Sequence, residues 1–191
     1  MNRFIVAGLL YFAHCVIALA QTGPARVLSA VEFYHSGLDR YFVSADAGEV
    51  ALLDDGGMGG WARTGLEFAV VDPDQIAMAG ANPVCRLYAS VAGAEDLHFL
   101  SASPDECAQA IANAPDVWVL ESQNAFGAFL PDARTGGCPD NTVPLYRSFT
   151  PQRGDHRYTT DAKVQISMIE QGWLAEGYGA FPVSMCVMRQ Q

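Results

Sequence analysis

The chain has 191 residues, is half apolar and carries a net charge of −10. That length and apolar content suit one domain with a sizeable core and exclude a disordered polymer. The acidity, with Lys and Arg scattered rather than clustered, argues against a nucleic-acid partner, because such a surface repels phosphate backbones.

Residues 1–20 read as a signal peptide. Asn2 and Arg3 make the polar start, Phe4 to Leu19 the apolar run, and Ala18-Leu19-Ala20 the small-x-small cleavage pattern, with Gln21 as the mature N-terminus. Cys15 suits a lipoprotein poorly, since His14 stands where a small residue is needed. No later stretch approaches the roughly 20 apolar residues of a membrane helix, so the mature form is expected to lack a span. The protein is expected to be periplasmic or extracellular, with residues 21–191 forming a single domain.

The first segment, about 30–71, opens with a strand in which Val31 and Phe33 alternate with Glu32 and Tyr34. A second strand follows over Tyr41–Ser44, then a helix start at Asp46-Ala47-Gly48-Glu49, and Gly60-Trp61-Ala62-Arg63-Thr64-Gly65 opens a last strand that reaches Phe68. Asp72-Pro73-Asp74 to Asn82-Pro83 reads as a connector. In the second segment, about 84–130, a strand from Val84 and another over Phe99–Ser101 precede Ser103-Pro104-Asp105-Glu106. That quartet is an N-cap Ser, Pro at the first helical position and Glu three residues after the cap. Val117-Trp118-Val119-Leu120-Glu121-Ser122 then leads to Phe126. After the connector from Pro131 to Asp140 comes the third segment, about 143–187. It has a strand from Val143, another over Arg157–Thr159, and a helix capped by Thr160 or Asp161 that runs to Gln171. Val164, Met168 and Gln171, with Ile169 alongside, predict its apolar stripe. Gly172 is the left-handed stop before Trp173, with Tyr178 and Phe181 beyond.

All three tryptophans therefore occupy one local setting, and Tyr34, Tyr88 and Phe149 recur at nearly the same intervals. Such self-similarity predicts an α+β, β-rich fold of three pseudo-equivalent strand-strand-helix-strand repeats around an approximate threefold axis, trefoil-like. Four cysteines remain after the signal, an even number that suggests two disulfides in an exported protein. Four cysteines allow three pairings. Cys85 and Cys107 share a segment, and Cys138 and Cys186 bracket the last one, so Cys85–Cys107 and Cys138–Cys186 are the expected pairs. A zinc site is the rival, but no CxxC is present and the histidines lie far from the cysteines; no metal or other cofactor is expected.

The stretches "PVCRLY…LHFLSASPDEC" and "CPDNTVPLYRSF…DHRYTTDAKVQISMIEQGWLAEGYG" are similar to the repeat domain of unknown function DUF5648, which recurs in exported bacterial proteins. The family pattern is roughly Tyr-Arg-x-Tyr, His-x-Tyr-Thr, a Glu-bearing helix and Glu-Gly-x-x-Phe. The resemblance spans about Val31 to Val187. Here it departs at Glu32, where the later segments have Arg86 and Arg147, at Leu100 and Phe149 for Tyr, and at Arg40, which stands where the family shows His. No activity comes with the family, so the resemblance implies no catalytic residue.

His98 and His156 could anchor a ligand or act as a base, or could simply pack on their strands. Adjacent Asp155 would point to the opposite face from His156. Arg86 and Arg147 recur with Glu121 and Glu176, as a sugar-binding set or as structural ion pairs. The tryptophans could stack on sugars, but their position after a helix stop favours a role as core plugs. Gly-x-Ser-x-Gly and HExxH motifs are absent, Asp54-Asp55 lacks the rhythm of a calcium loop, and no catalytic set is assigned. Tyr34, Arg40, Tyr88, His98, Arg147, His156 and Tyr158 are the ligand-binding candidates. The expected function is a secreted, non-catalytic recognition module for cell-surface or environmental glycans. The alternatives are a hydrolase using His156 or His98, and a structural or protein-interaction domain of the cell envelope.

Overall fold

The computed structural model describes residues 25–91 and 94–190; the signal-peptide expectation lies outside the described residues. The first segment comprises β1 (Val27–His35), β2 (Arg40–Ser44), α1 (Ala47–Asp54) and β3 (Trp61–Val71). The connector expected as loop carries a 3-10 turn, Pro73–Gln75, and α2 (Ile76–Ala79). Next come β4 (Asn82–Pro83), β5 (Cys85–Val91), β6 (Ala94–Ser101), α3 (Pro104–Asn113), β7 (Val119–Ser122) and β8 (Gly127–Ala128). The chain closes with β9 (Thr142–Thr150), β10 (Asp155–Thr159), α4 (Ala162–Glu170), β11 (Leu174–Glu176) and β12 (Met185–Met188).

This is a β-rich α+β molecule, and one local topology occurs three times. The first strand of each segment is paired antiparallel on one side by the second strand and on the other by the strand after the helix: β2-β1-β3, β6-β5-β7 and β10-β9-β11. Three further strand stretches then pair with one another, Val71 with Gly127, Phe129 with Cys186, and Met188 with Ala69. On the far side β2, β6 and β10 touch one another.

The core follows from that register. Ala30, Val84 and Leu145, each two residues before the aligned Glu32, Arg86 and Arg147, are buried together. Val43, Leu100 and Tyr158, opposite those aligned residues, join them, as do Phe68, Phe126 and Met185. Simple alternation fails in β1, because Ala30 through Phe33 are all buried and Glu32 is only 1% exposed. The strand has a neighbour on both faces, so its polar residue is enclosed and must find a partner.

The helix starts form as their caps dictate. Asp46 accepts from the Glu49 N–H at 2.7 Å, Ser103 from the Glu106 N–H at 3.4 Å, and Asp161 from the Lys163 N–H at 2.8 Å. The expected stripe on α4 is corrected: Gln165 and Met168 are the buried residues, while Ile169 is 40% exposed and Gln171 is also exposed. Gln165 lies inside because its amide oxygen accepts from the Ser148 hydroxyl at 2.6 Å. Gly60 precedes Trp61 at φ 83°, and a Cβ there would lie 2.1 Å from His35 Nε2. Disulfides join Cys85 to Cys107 and Cys138 to Cys186, with Cα atoms 6.5 and 5.7 Å apart. No helix among the described residues is long and apolar enough to cross a membrane.

Candidate functional site

The polar residues of the repeated pattern converge where one segment meets the next. Strand register makes Glu32, Arg86 and Arg147 equivalent, since they face Val43, Leu100 and Tyr158. At the first junction Arg86 donates hydrogen bonds to Glu49 of α1, the shorter at 2.7 Å, and forms an ion pair with its own segment's Glu121 at 2.6 Å. Its guanidinium lies 5.4 Å over the ring of Phe42. At the second, Arg147 bonds Glu106 of α3 at 3.0 Å and Glu176 at 2.8 Å, and lies 4.9 Å over Phe99. Both Arg–Glu pairs read from the sequence are thus formed, and each Arg also clamps the helix of the preceding segment.

The histidines belong to the same junctions. His98 is in ring contact with Phe42 at 4.3 Å and Tyr88 at 5.2 Å; His156 is in contact with Phe99 at 5.2 Å and Phe149 at 4.9 Å. Their Nε2 atoms lie 4.0 Å from Glu121 and 3.6 Å from Glu176. Both Nδ1 atoms are buried without a hydrogen-bond partner among the described residues. Burial pushes both imidazoles down to about 3, helped by the charge of Arg86 for His98 and of Arg147 for His156. Both rings are therefore neutral at physiological pH.

The third junction reverses the charges. Arg157 occupies the register position of Phe42 and Phe99 and bonds Glu32 at 2.9 and 3.1 Å. It lies 4.2 Å over Tyr41, which also contacts Tyr34 and Trp173. Register therefore corrects one sequence assignment: Tyr41, not Arg40, stands at the histidine position. Arg40 is one residue away, level with Leu97 and Asp155, where the three second strands meet. It donates to the backbone carbonyls of Glu95 and Asp39, each at 3.4 Å. Asp155 accepts from the Tyr41 N–H at 3.1 Å, and burial raises its carboxyl to about 7 against that bond and the charge of Arg40.

Of the candidates, Tyr88 and His98 meet at the first junction, Arg147 and His156 at the second, and Tyr34 stands at the third. Tyr158 is a core residue whose hydroxyl donates to the Leu100 carbonyl and accepts from the Leu100 N–H. The partners that sequence reasoning passed over are Phe42, Phe99, Glu49, Glu106 and Arg157. A signal existed: within the repeat, Glu appears for Arg on the first strand of the segment whose neighbour carries Arg for Phe on its second strand.

Several cavities open at the two like-built junctions, and two of them are framed by the aligned tryptophans Trp61 and Trp118. The larger, about 660 Å³, lies between the second and third segments beside Trp118, Phe149, Asn113, Gln152, Arg153 and Glu176. The smaller, about 250 Å³, lies between the first and second, beside Trp61, Tyr88 and Asp96. Trp61 and Trp118 are half-buried, whereas Trp173, at the charge-reversed junction, is 6% exposed and sits in the interior. Among the described residues no three His, Cys, Asp or Glu side chains group as metal ligands.

Fold and junctions define a β-rich, disulfide-stapled α+β molecule in which several charged residues pair across segments. Residues 128–187 match the model of a family described as a domain of unknown function, DUF5648, which supports the assignment read from the sequence. The match covers the third segment and the connector before it. No curated protein sequence and no solved structure matches the chain.

Proposed function

We propose that this is an exported, non-catalytic recognition module of three pseudo-equivalent units around an approximate threefold axis, trefoil-like, and that it holds a saccharide of a cell-surface or environmental glycan beside Trp118. The observation that carries this reading is the cavity of about 660 Å³, within the size range of ligand sites. It combines an indole and the ring of Phe149 with the amides of Asn113 and Gln152 and the guanidinium of Arg153. Aromatic faces pack against sugar C–H groups, and amides and guanidinium groups can bond ring hydroxyls.

A hydrolase reading has less support. A general base works best with a pKa near the operating pH, and both histidines lie far below it. The nearby carboxylates, Glu121 and Glu176, are occupied by Arg86 and Arg147. Among the described residues no Ser, Thr or Cys lines the larger cavity.

The test is a glycan array probed with the mature protein and with Trp118→Ala, Arg153→Ala and His156→Ala. Wild type should bind a restricted set of glycans, and Trp118→Ala should weaken binding about tenfold or more, as loss of a stacking ring would. Wild-type signal at background for every glycan removes this ligand class and leaves an envelope-protein partner as the reading to pursue. Undiminished binding by Trp118→Ala places the glycan elsewhere on the protein.

A further inference from the structure

The cavity between the first and second segments is built on the same frame as the larger one but has different chemistry. Phe42 stands where the second junction has Phe99, Tyr88 where it has Phe149, and Trp61 where it has Trp118. The larger cavity carries Arg153 at its rim, whereas among the described residues no Lys or Arg lines the smaller one. Glu49, Glu121 and Asp96 line it instead. The first two share Arg86, while Asp96 forms no ion pair among the described residues.

Asp96 belongs to the aromatic wall rather than to an outer surface. It lines the cavity together with Trp61, whose indole favours its charged form, and it is half-buried. Its backbone sits at φ 56°, a left-handed conformation that Asp and Asn tolerate better than other side chains. The wall is rigid. The Phe42 and Trp61 rings lie 5.8 Å apart and inclined at 58°, while His35 meets Trp61 edge-on at 5.3 Å. His98, neutral, lies against both Phe42 and Tyr88. The result is a concave surface with aromatic faces, a fixed carboxylate and net negative charge, in a chain of net charge −10. At about 250 Å³ it lies below the roughly 300 Å³ where drug-sized ligand sites begin.

Aromatic faces attract alkylated cations through the ring quadrupole, and a nearby carboxylate adds charge attraction. A bare metal ion would need several oxygen or nitrogen ligands, which these rings do not supply. We propose that this cavity, walled by Phe42, Trp61 and Tyr88 and closed by Asp96, is a binding site for a small organic ammonium group, of the size of a trimethylammonium. The site is separate from the glycan cavity and does not depend on it.

Nitrogen-15 correlation spectra resolve the inference through the three tryptophan indole signals, assigned by single Trp→Phe variants. The mature protein is titrated with choline, with tetramethylammonium and with 3,3-dimethylbutan-1-ol, the neutral carbon counterpart of choline. The Trp61 signal should shift saturably with both cations and not with the alcohol, while the Trp118 and Trp173 signals stay in place. Asp96→Asn keeps a side chain suited to the left-handed backbone and should weaken choline binding about tenfold, the equivalent of one cation–π or ionic contact. A parallel sedimentation with phosphatidylcholine vesicles separates a free ammonium from a lipid headgroup: co-sedimentation abolished by Asp96→Asn assigns the headgroup, and choline binding without it assigns the free cation. An unmoved Trp61 signal at choline concentrations well above the millimolar range overturns the proposal. So does an equal shift with the neutral alcohol, a comparison that needs no variant.

Discussion

Asp155 is the residue whose charge the fold opposes most plainly. Its side chain accepts from the Tyr41 N–H, yet burial raises its carboxyl from 3.8 to about 7. A folded value above the unfolded one means that the stability of the neutral form is fully present below about pH 4 and is lost as pH rises through 7. Asp155→Asn keeps an oxygen for Tyr41 and removes the charge. It should stabilise the protein near pH 8 by up to about 4 kcal/mol, roughly three units at 1.36 kcal/mol each, with no gain near pH 4. Urea unfolding at the two pH values measures this, and an equal effect at both would reject it. The histidines titrate in the opposite sense. Their folded values are depressed to about 3 from 6.5, so their contribution is present above pH 6.5 and falls away as pH drops toward 3. His156→Gln should remove about 1.4 kcal/mol per pH unit from the slope of stability between pH 6 and 4. An unchanged slope would mean that His156 is not buried as the neutral imidazole. Arg147 with Glu176 was legible from recurrence at matched places, but the position of Tyr41 was not. A slip of one residue reverses which side of a strand a side chain takes, and only the hydrogen-bond register fixes it.

At the scale of elements, caps and staples were the most legible features, because their chemistry is local. Ser103, Pro104 and Glu106 specify a helix start wherever the chain places it. The disulfides followed from which elements share a segment. In the loop-closure model the Cys85–Cys107 link, with a separation of 22 residues, contributes about 3 kcal/mol, and the Cys138–Cys186 link, separated by 48, about 4 kcal/mol. Replacing each pair by Ser and measuring unfolding should show the larger loss for Cys138/Cys186. The reverse order would indicate that the reduced chain retains structure around the third segment. The buried face of α4 was misread because apolarity was the guide. Gln165 is inside owing to Ser148, a partner on another element that no helical periodicity reveals.

At the scale of the molecule, the two Arg-over-Phe junctions and the reversed one explain why Glu32 departs from the pattern. Glu32 and Arg157 form the same kind of clamp with the charges exchanged, 125 residues apart in sequence. Breaking a buried pair by removing one partner typically costs 3–5 kcal/mol, because the other charge is left uncompensated. Glu32→Arg should cost more, since it sets a second guanidinium against Arg157. Adding Arg157→Phe and Val164→Glu supplies the ring and the helix carboxylate of the other junctions, with Val164 at the helix position of Glu49 and Glu106, while Thr64 and Tyr41 keep their own residue types. That triple variant should recover at least half of the lost stability in thermal or urea unfolding. Failure to recover any would show that the junctions are not interchangeable.

Taken alone, the sequence determined the β-rich α+β class, most strand and helix positions, the caps and the cysteine pairs. These rest on spacing and on interactions among near neighbours, which survive being copied. The tertiary structure decided that β1 is buried on both faces, which face of α4 is buried, which residue replaces the histidine, and that Glu32 has a partner at all. Those depend on contacts between segments, where a charge is acceptable only if its opposite arrives from a distant part of the chain. That arrival is a property of the closed fold and not of any one stretch within it.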